Sequence, residues 1–174
     1  MKVILSADQI EKALSDLTDR ITLDISSGAD VAIIGIRSRG EILAQRLTEK
    51  LSAKTGKDIP LGVLDITLYR DDINEPGSGQ PTVRSTEIPF DISDKTIILV
   101  DDVLYTGRST RSALDALMAF GRPKAVRLAV LVDRGHRELP IQADYVSCKV
   151  DIPEELTVSV HLVETDDVDE VTVE

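Results

Sequence analysis

The chain reads as an α/β protein: a mainly parallel central sheet flanked by helices, with a small hood. Three short runs, Val31-Ala-Ile-Ile-Gly-Ile36, Thr96-Ile-Ile-Leu-Val100 and residues 125–132, are apolar on both faces, as strands buried between two layers are. Stretches with apolar residues at helical spacing separate them, so strand and helix alternate along the chain. The tail switches to strict apolar/polar alternation, which suits antiparallel additions over a sheet edge.

Ser6, with Gln9 three residues on, has the spacing of a capping box. Ile10, Leu14, Leu17, Ile21 and Ile25 then recur at helical intervals and predict a first helix to about Ser26. Gly28 ends it, and residues 31–36 follow as a central strand. Ile42, Leu43, Leu47 and Leu51 form the inner stripe of a second helix, and residues 59–68 are β-prone. From Arg70 to Thr86 no period survives, and Asn74, Pro76, Gly77, Gly79 and Pro81 supply turn formers. A loop of that length is either a lid or a hairpin tip without a role, and its place between strands favours a lid over about residues 70–86. After the strand at 96–100, Ala113, Leu114, Leu117 and Met118 face inward from an amphipathic stretch running from Arg111 to Phe120, until Gly121 and Pro123 stop it. Residues 125–132 give the next buried strand. The alternating stretches 157–163 and 168–173 close the chain, and a hood is expected mainly over residues 134–160.

A chain of 174 residues fits one domain, residues 1–174, with a core of its own. The lone Cys148 excludes an intrachain disulfide and a Cys-rich metal site, and reads as a small buried or half-buried side chain. No apolar run approaches bilayer length, so no membrane association is expected and the cytoplasm is the expected location. With 31 acidic and 20 basic residues the net charge is −11, which opposes nonspecific attraction to nucleic acid unless basic residues gather on one face. The run Glu164-Thr-Asp-Asp-Val-Asp-Glu170 reads as a solvated turn without chemistry.

The most informative segment is Leu99-Val-Asp-Asp-Val-Leu-Tyr-Thr-Gly-Arg-Ser109. It joins a buried strand to paired carboxylates, and those to a Thr/Gly/Ser loop opening a helix. Asp101 and Asp102 are expected at the carboxyl end of the strand, where open α/β sheets bind ligands. The N–H groups and hydroxyls of residues 106–110 can then converge on one phosphate, leaving the carboxylates to hold sugar hydroxyls. An acidic N-cap is the competing reading, but Asp101 stands too early to cap a helix beginning near Thr106.

The segment Val100-Asp101-Asp102-Val103-Leu104-Tyr105-Thr106-Gly107-Arg108-Ser109-Thr110 resembles the signature of the type I phosphoribosyltransferases, which use 5-phosphoribosyl 1-diphosphate. Together with Gly35-Ile-Arg37-Ser38-Arg39-Gly40, Leu64-Asp-Ile-Thr-Leu-Tyr-Arg-Asp-Asp72 and Asp133-Arg134-Gly135-His136-Arg137-Glu-Leu-Pro140, it looks like the PyrR family. Proteins of that family regulate pyrimidine operons and are also uracil phosphoribosyltransferases. The likeness runs from about Ile4 to about Val171 and implies the type I phosphoribosyltransferase fold.

On this resemblance residues 101–110 take ribose and its 5′-phosphate, with Asp101 and Asp102 binding Mg²⁺ directly or through water. Arg37, Ser38, Arg39, Gly40 and Arg70 take pyrophosphate, and the first loop commonly holds a non-proline cis peptide, here placed near Ser38–Arg39. An ordinary βα connection is the alternative for that loop. Arg70 and Arg84 either bring positive charge over pyrophosphate or form a solvated cluster with Asp71 and Asp72. Catalysis would rest on Arg39, Arg70, Asp101 and Asp102, which stabilise the departing anion. The pyrimidine is placed against Asp133, Arg134, Gly135 and His136, with Leu104 and Ile152 bounding the ring. His136 is a candidate base toward uracil N1 or a solvent-facing loop residue, and His161 is structural. The implied partners are uracil, 5-phosphoribosyl 1-diphosphate, UMP, pyrophosphate and a leader RNA, with the chain acting as a homodimer or higher homo-oligomer.

The likeness weakens at two places. Family members carry Arg and His in the middle of the first helix, whereas Ser15-Asp-Leu-Thr-Asp19 puts carboxylates there and weakens RNA binding, leaving Arg134, Arg137 and Lys149 as available cations. After Tyr145-Val146, Ser147-Cys-Lys-Val-Asp-Ile-Pro-Glu154 replaces the usual Gly-Lys-Asn-Ile-Pro-Thr-Ser, so another base is an alternative to uracil. Two further classes stand beside the enzyme: an RNA-binding attenuation regulator sensing UMP or UTP, and a receiver-like domain using its Asp pair, which leaves residues 106–110 unexplained.

Overall fold

The computed structural model describes residues 1–72 and 83–174. The turn formers between 73 and 82 that carry the lid expectation lie outside the described residues. In chain order the elements are β1 (Lys2–Leu5), α1 (Ala7–Ser26), β2 (Val31–Ile36), α2 (Arg39–Thr55), β3 (Leu61–Leu64), a 3₁₀ turn (Thr67–Tyr69) and β4 (Thr96–Leu104). There follow α3 (Arg108–Met118), β5 (Ala125–Asp133), β6 (Tyr145–Lys149), β7 (Val158–His161), α4 (Val163–Asp166) and β8 (Glu170–Val173).

Five strands form the main sheet in the order β3-β2-β4-β5-β6, every neighbour parallel. Successive side chains of a strand point to opposite faces, and the core divides accordingly. Ile33, Ile98 and Val100 face α1 and α2, packing with Ile10, Leu14, Leu43 and Leu47. Ala32, Ile34, Ile97 and Leu99 face α3, packing with Ala113, Ala116 and Leu117. Burying each such Ile or Leu contributes roughly 1.5–3 kcal/mol. Ala116 takes the inward position expected of Met118, which is 50 % exposed, because α3 starts at Arg108 and its buried stripe runs through Thr110, Ala113, Ala116 and Leu117.

Two strands differ from expectation for local reasons. The β-prone run at 59–68 stops at Leu64, where the Asp65 carboxylate accepts the Thr67 N–H at 3.0 Å and its hydroxyl at 2.6 Å and bends the chain into the 3₁₀ turn. β4 runs on past Val100 to Leu104, with Asp101 opposite Val130 and Val103 opposite Val132. The expected start of α1 is present, the Ser6 N–H donating to Gln9 Oε1 at 2.8 Å.

The three-stranded small sheet is antiparallel in the order β1-β8-β7. Of the stretch 134–160, where a hood is expected, β6 joins the main sheet as its edge and only β7 enters the small one. β1 is an addition that four residues beside a helix cap do not announce. The acidic run after β7 is a clamp rather than a solvated turn. Arg39 and Arg46 stand two turns apart on α2, and the return between β7 and β8 brings carboxylates onto both. Arg46 binds Asp169 at 2.8 Å and Glu164 at 2.5 Å, and Arg39 lies 3.1 Å from Asp166.

Two sites test this packing. Gly40, the second residue of α2, rests on β4: a Cβ there would stand 2.5 Å from Val100 O and 3.1 Å from Asp101 Cα, so Gly40→Ala is expected to cost roughly 1–3 kcal/mol in urea unfolding. Asp166 is held down to about 2, first by the Leu162 N–H, then by the Thr165 hydroxyl and Arg39. A carboxylate depressed in the folded state stabilises fully above its ordinary value of 3.8 and loses that contribution as pH falls toward about 2. Asp166→Asn is therefore expected to flatten the fall of the urea midpoint across that window.

Candidate active site

The site lies at the carboxyl end of the main sheet, where β2, β4 and β5 release their loops. Asp101 and Asp102 are half-buried and sit within β4, not beyond its end. Each carboxylate accepts the next backbone N–H: Asp102 N donates to Asp101 Oδ1 at 2.9 Å and Val103 N to Asp102 Oδ1 at 2.8 Å. Burial, and then the neighbouring charge of Asp102, hold the Asp101 carboxyl well above the usual carboxylate range.

Past Leu104 the chain turns through Tyr105, Thr106 and Gly107 and enters α3 at Arg108, earlier than the expected Arg111. Gly107 has φ +92°, and a Cβ there would also meet Ile141 at 3.3 Å, so glycine is required. The loop is pinned from the segment after β5. Thr106 O accepts the N–H groups of Glu138 and Leu139 at 3.0 and 3.1 Å, and Leu104 O accepts that of Arg134 at 3.0 Å. The first amide to bond back into α3 is that of Arg111, to Gly107 O at 2.9 Å, which leaves Ser109 and Thr110 N–H at the positive end of the helix. Beside them opens a cleft of about 530 Å³ lined by Arg70, Asp71, Asp72, Thr106, Arg108, Ser109, Ser112 and Glu138.

The β2–α2 loop forms a second recess, about 140 Å³, lined by Arg37, Ser38, Asp65, Thr67 and Arg84. Its cis peptide joins Arg37 to Ser38, one bond before the expected place. Gly40 holds this loop against the backbone of Val100 and Asp101, so the carboxylate-bearing end of β4 stands between the loops that open α2 and α3, although neither carboxylate lines either recess.

Four arginines of the site are engaged by carboxylates. Arg37 pairs with Glu41 at 2.8 Å, Arg39 with Asp166, Arg70 with Asp72 at 2.6 Å, and Arg108 with Asp71 at 2.8 Å and Glu138 at 2.5 Å. Arg70 thus lines the cleft and also belongs to a salt-bridged cluster. Asp71 and Glu138 are held by Arg108, and the Asp71 carboxyl is drawn below its ordinary value by that contact. The buried side-chain donors without a partner among the described residues are Nε of Arg39, Arg111 and Arg134, all on segments that rim the two recesses or the loop after β5.

The third loop differs most from expectation. Asp133 pairs with Arg137 at 2.7 Å and accepts the Gly135 N–H at 3.0 Å. Arg137 also donates to the carbonyls of Tyr105 and Ile141, and Arg134 is buried, so neither is an available cation for RNA. Lys149 remains exposed. His136 is an exposed loop residue whose two ring nitrogens are both engaged, one 3.0 Å from Glu154 and the other 2.9 Å from Ile152 O. Leu104, 2 % exposed, belongs to the core cluster on the α3 face, while Ile152 packs against the other cluster, so the two do not bound a common space. His161 sits on β7 against Thr172, a structural place, and Cys148 is half-buried. Asp65, Asp71, Ser112 and Glu138 also line the recesses, where the fold brings together segments distant in sequence.

Residues 2–165 match the phosphoribosyl transferase domain family. The chain is 52 % identical over 166 residues to the bifunctional protein PyrR of Deinococcus radiodurans, covering 95 % of this chain and 90 % of that one. It is 51 % identical over 172 residues to that of Chloroflexus aurantiacus, covering 99 % and 94 %, and 48 % identical over 173 residues to that of Bacillus cereus, covering 98 % and 96 %. In fold it is similar to the hypoxanthine phosphoribosyltransferase of Trypanosoma cruzi, with a TM-score of 0.75 at 17 % identity over 99 % of this chain and 95 % of that one. A hypoxanthine phosphoribosyltransferase from Staphylococcus aureus gives a TM-score of 0.71 at 19 % identity, covering 98 % and 90 %. The family match over residues 2–165 and the full-length relatives at about 50 % identity show that the chain belongs to the phosphoribosyltransferases and, among them, to the PyrR family.

Proposed function

We propose that the chain transfers the ribosyl phosphate of 5-phosphoribosyl 1-diphosphate to uracil, yielding UMP and pyrophosphate. The observation that carries this reading is the placement of β4: its carboxylate pair leads directly into the loop that opens α3, and the start of α2 rests on its backbone at Val100 and Asp101. A sugar bearing a phosphate at one end and a diphosphate at the other spans such a pair of recesses. Thr106, Gly107, Ser109 and Thr110 would take the 5′-phosphate, and Asp101 and Asp102 the ribose hydroxyls. The amides of residues 37–40, with Arg39 and Arg70, would take the pyrophosphate.

The bond from the anomeric carbon to pyrophosphate breaks through an oxocarbenium-like state, so the largest task is to stabilise the departing anion. The helix end at Arg39 and the guanidinium groups beside it do so in place, without reorganising solvent. Asp101 and Asp102 offer carboxyl oxygens to the ribose hydroxyls. Uracil would pair its carbonyls and N–H groups with the backbone of residues 133–135. Mg²⁺ fits the donor set: two adjacent carboxylates, with no cluster of three metal-ligating side chains among the described residues, leave positions for water and substrate oxygens, as that ion prefers. Bound there, it would supply positive charge to the diphosphate. The same reading takes residues 1–174 as one domain with a lid over about 70–86, cytoplasmic and homo-oligomeric. Among the described residues no helix is long and apolar enough to cross a membrane.

A second reading, binding of a leader RNA, is favoured by the relatives being named bifunctional. Against it stand Asp16 and Asp19 on the outer face of α1, exposed and paired only with Lys12 and Lys54, and the burial of Arg134. Carboxylates on that face repel phosphates.

Two measurements separate these readings. Release of pyrophosphate with uracil is expected, and exchanging both Asp101 and Asp102 for Asn should lower kcat/KM on the order of 10²-fold or more with the fold intact. Full activity in that variant, or turnover with guanine and none with uracil, contradicts the assignment. In filter binding with a pyrimidine leader hairpin, weak retention is expected at about 0.15 M salt, increased by exchanging Asp16 and Asp19 for Arg. Tight, salt-sensitive retention by the unaltered chain would favour the regulator.

A further inference from the structure

Arg134 is the only charged side chain among the described residues that is buried outright, at 4 % exposure. No carboxylate forms an ion pair with it among those residues. Its guanidinium lies over the Tyr105 ring, 4.0 Å from the centroid, with Nη1 donating to Leu156 O at 2.7 Å and Nη2 to Pro153 O at 3.2 Å. Its Nε has no partner. Withdrawing a cation from water without an anion is costly, and two carbonyls and one ring face offset only part of that cost. An apolar side chain of the same length would fill the space better, so the arginine is not there for core stability.

What it does is hold three segments together. Tyr105 belongs to the turn between β4 and α3, Arg134 to the loop after β5, and Pro153 and Leu156 to the irregular chain between β6 and β7. That last segment has few bonds of its own: Leu156 N–H to Pro153 O at 3.2 Å is the one backbone bond within residues 152–156. His136 fastens the same segment at Ile152 O and Glu154, and its ring meets Tyr105 edge-on at 6.4 Å. The carbonyls of residues 152–156 therefore hang from two side chains of the loop whose backbone would face the base.

We infer that Arg134 is a positioning residue that fixes residues 152–156 as one wall of the base subsite, with Tyr105 as the surface it bears on. This rests on the base subsite lying at the end of β5, as proposed above. It places the control of base affinity in a side chain that touches neither base nor diphosphate.

The test uses the full chain with Arg134→Met and Arg134→Lys. It reads the KM values for uracil and for 5-phosphoribosyl 1-diphosphate, kcat, and hydrogen exchange of peptides spanning residues 150–157. In Arg134→Met the KM for uracil is expected to rise about tenfold, while the KM for the diphosphate stays within about twofold and kcat within about threefold. Exchange should quicken in residues 152–156 and not in β4. Arg134→Lys, which reaches one carbonyl, should recover part of both effects, and it decides the question alone if the Met variant does not fold. An equal rise in both KM values, or unchanged exchange at 152–156 in a folded variant, overturns the inference. Absence of uracil turnover in the unaltered chain overturns the functional reading instead, and the exchange measurement still reports on Arg134.

Discussion

The close approach of α2 to β4 at Gly40 is the constraint on which the site depends. Only a hydrogen fits between that Cα and the carbonyl of Val100, so the helix settles directly on the strand one residue before the carboxylate pair. Two things follow from this one contact. Asp101 is covered on its backbone side by the start of α2, and the Arg37–Ser38 bend has a fixed base. Small residues at helix–strand crossings usually serve packing; here the packing also sets the distance between two anion-receiving loops.

The charges of the site are balanced within the protein. Arg37, Arg70, Arg108 and Arg39 are already met by carboxylates: Glu41, Asp72, Asp71 with Glu138, and Asp166. On the proposed function, a polyanionic substrate entering the cleft would exchange with those carboxylates, so its affinity would be a difference between two sets of ion pairs. In a chain of net charge −11 this arrangement keeps cations in the cleft while the surface stays acidic. It also explains why counting basic residues in the sequence overstated what is available to a second ligand. Arg134 and Arg137 look free on paper and are committed to carbonyls and to Asp133.

Much of this was legible because it is written locally. Val31–Ile36 is apolar at every position and became the six-residue central strand; Ser6 and Gln9 start α1 where their spacing says; residues 106–110 needed only the αL glycine to be recognised as a helix-opening loop. The illegible parts depend on partners far along the chain. β4 extends past its apolar run because β5 pairs alongside it to Asp133, and nothing near Asp101 reports that. β1 is a strand only by virtue of β8. The acidic tail reads as solvated until α2 is seen beneath it. The loop after β5 was the hardest, since a His and two Arg in a short polar stretch give no sign that all three are tied to backbone carbonyls.

The pairing of β1 with β8 also sets an order of events at the ribosome. The parallel sheet and both faces of its core can assemble while the last part of the chain is still being made, but the small sheet cannot close until β8 has emerged. Asp166 arrives in that same final stretch, so Arg39 is the last member of the site to find its partner. The loop that opens α3 can therefore be folded before the loop that opens α2 is anchored through Arg39.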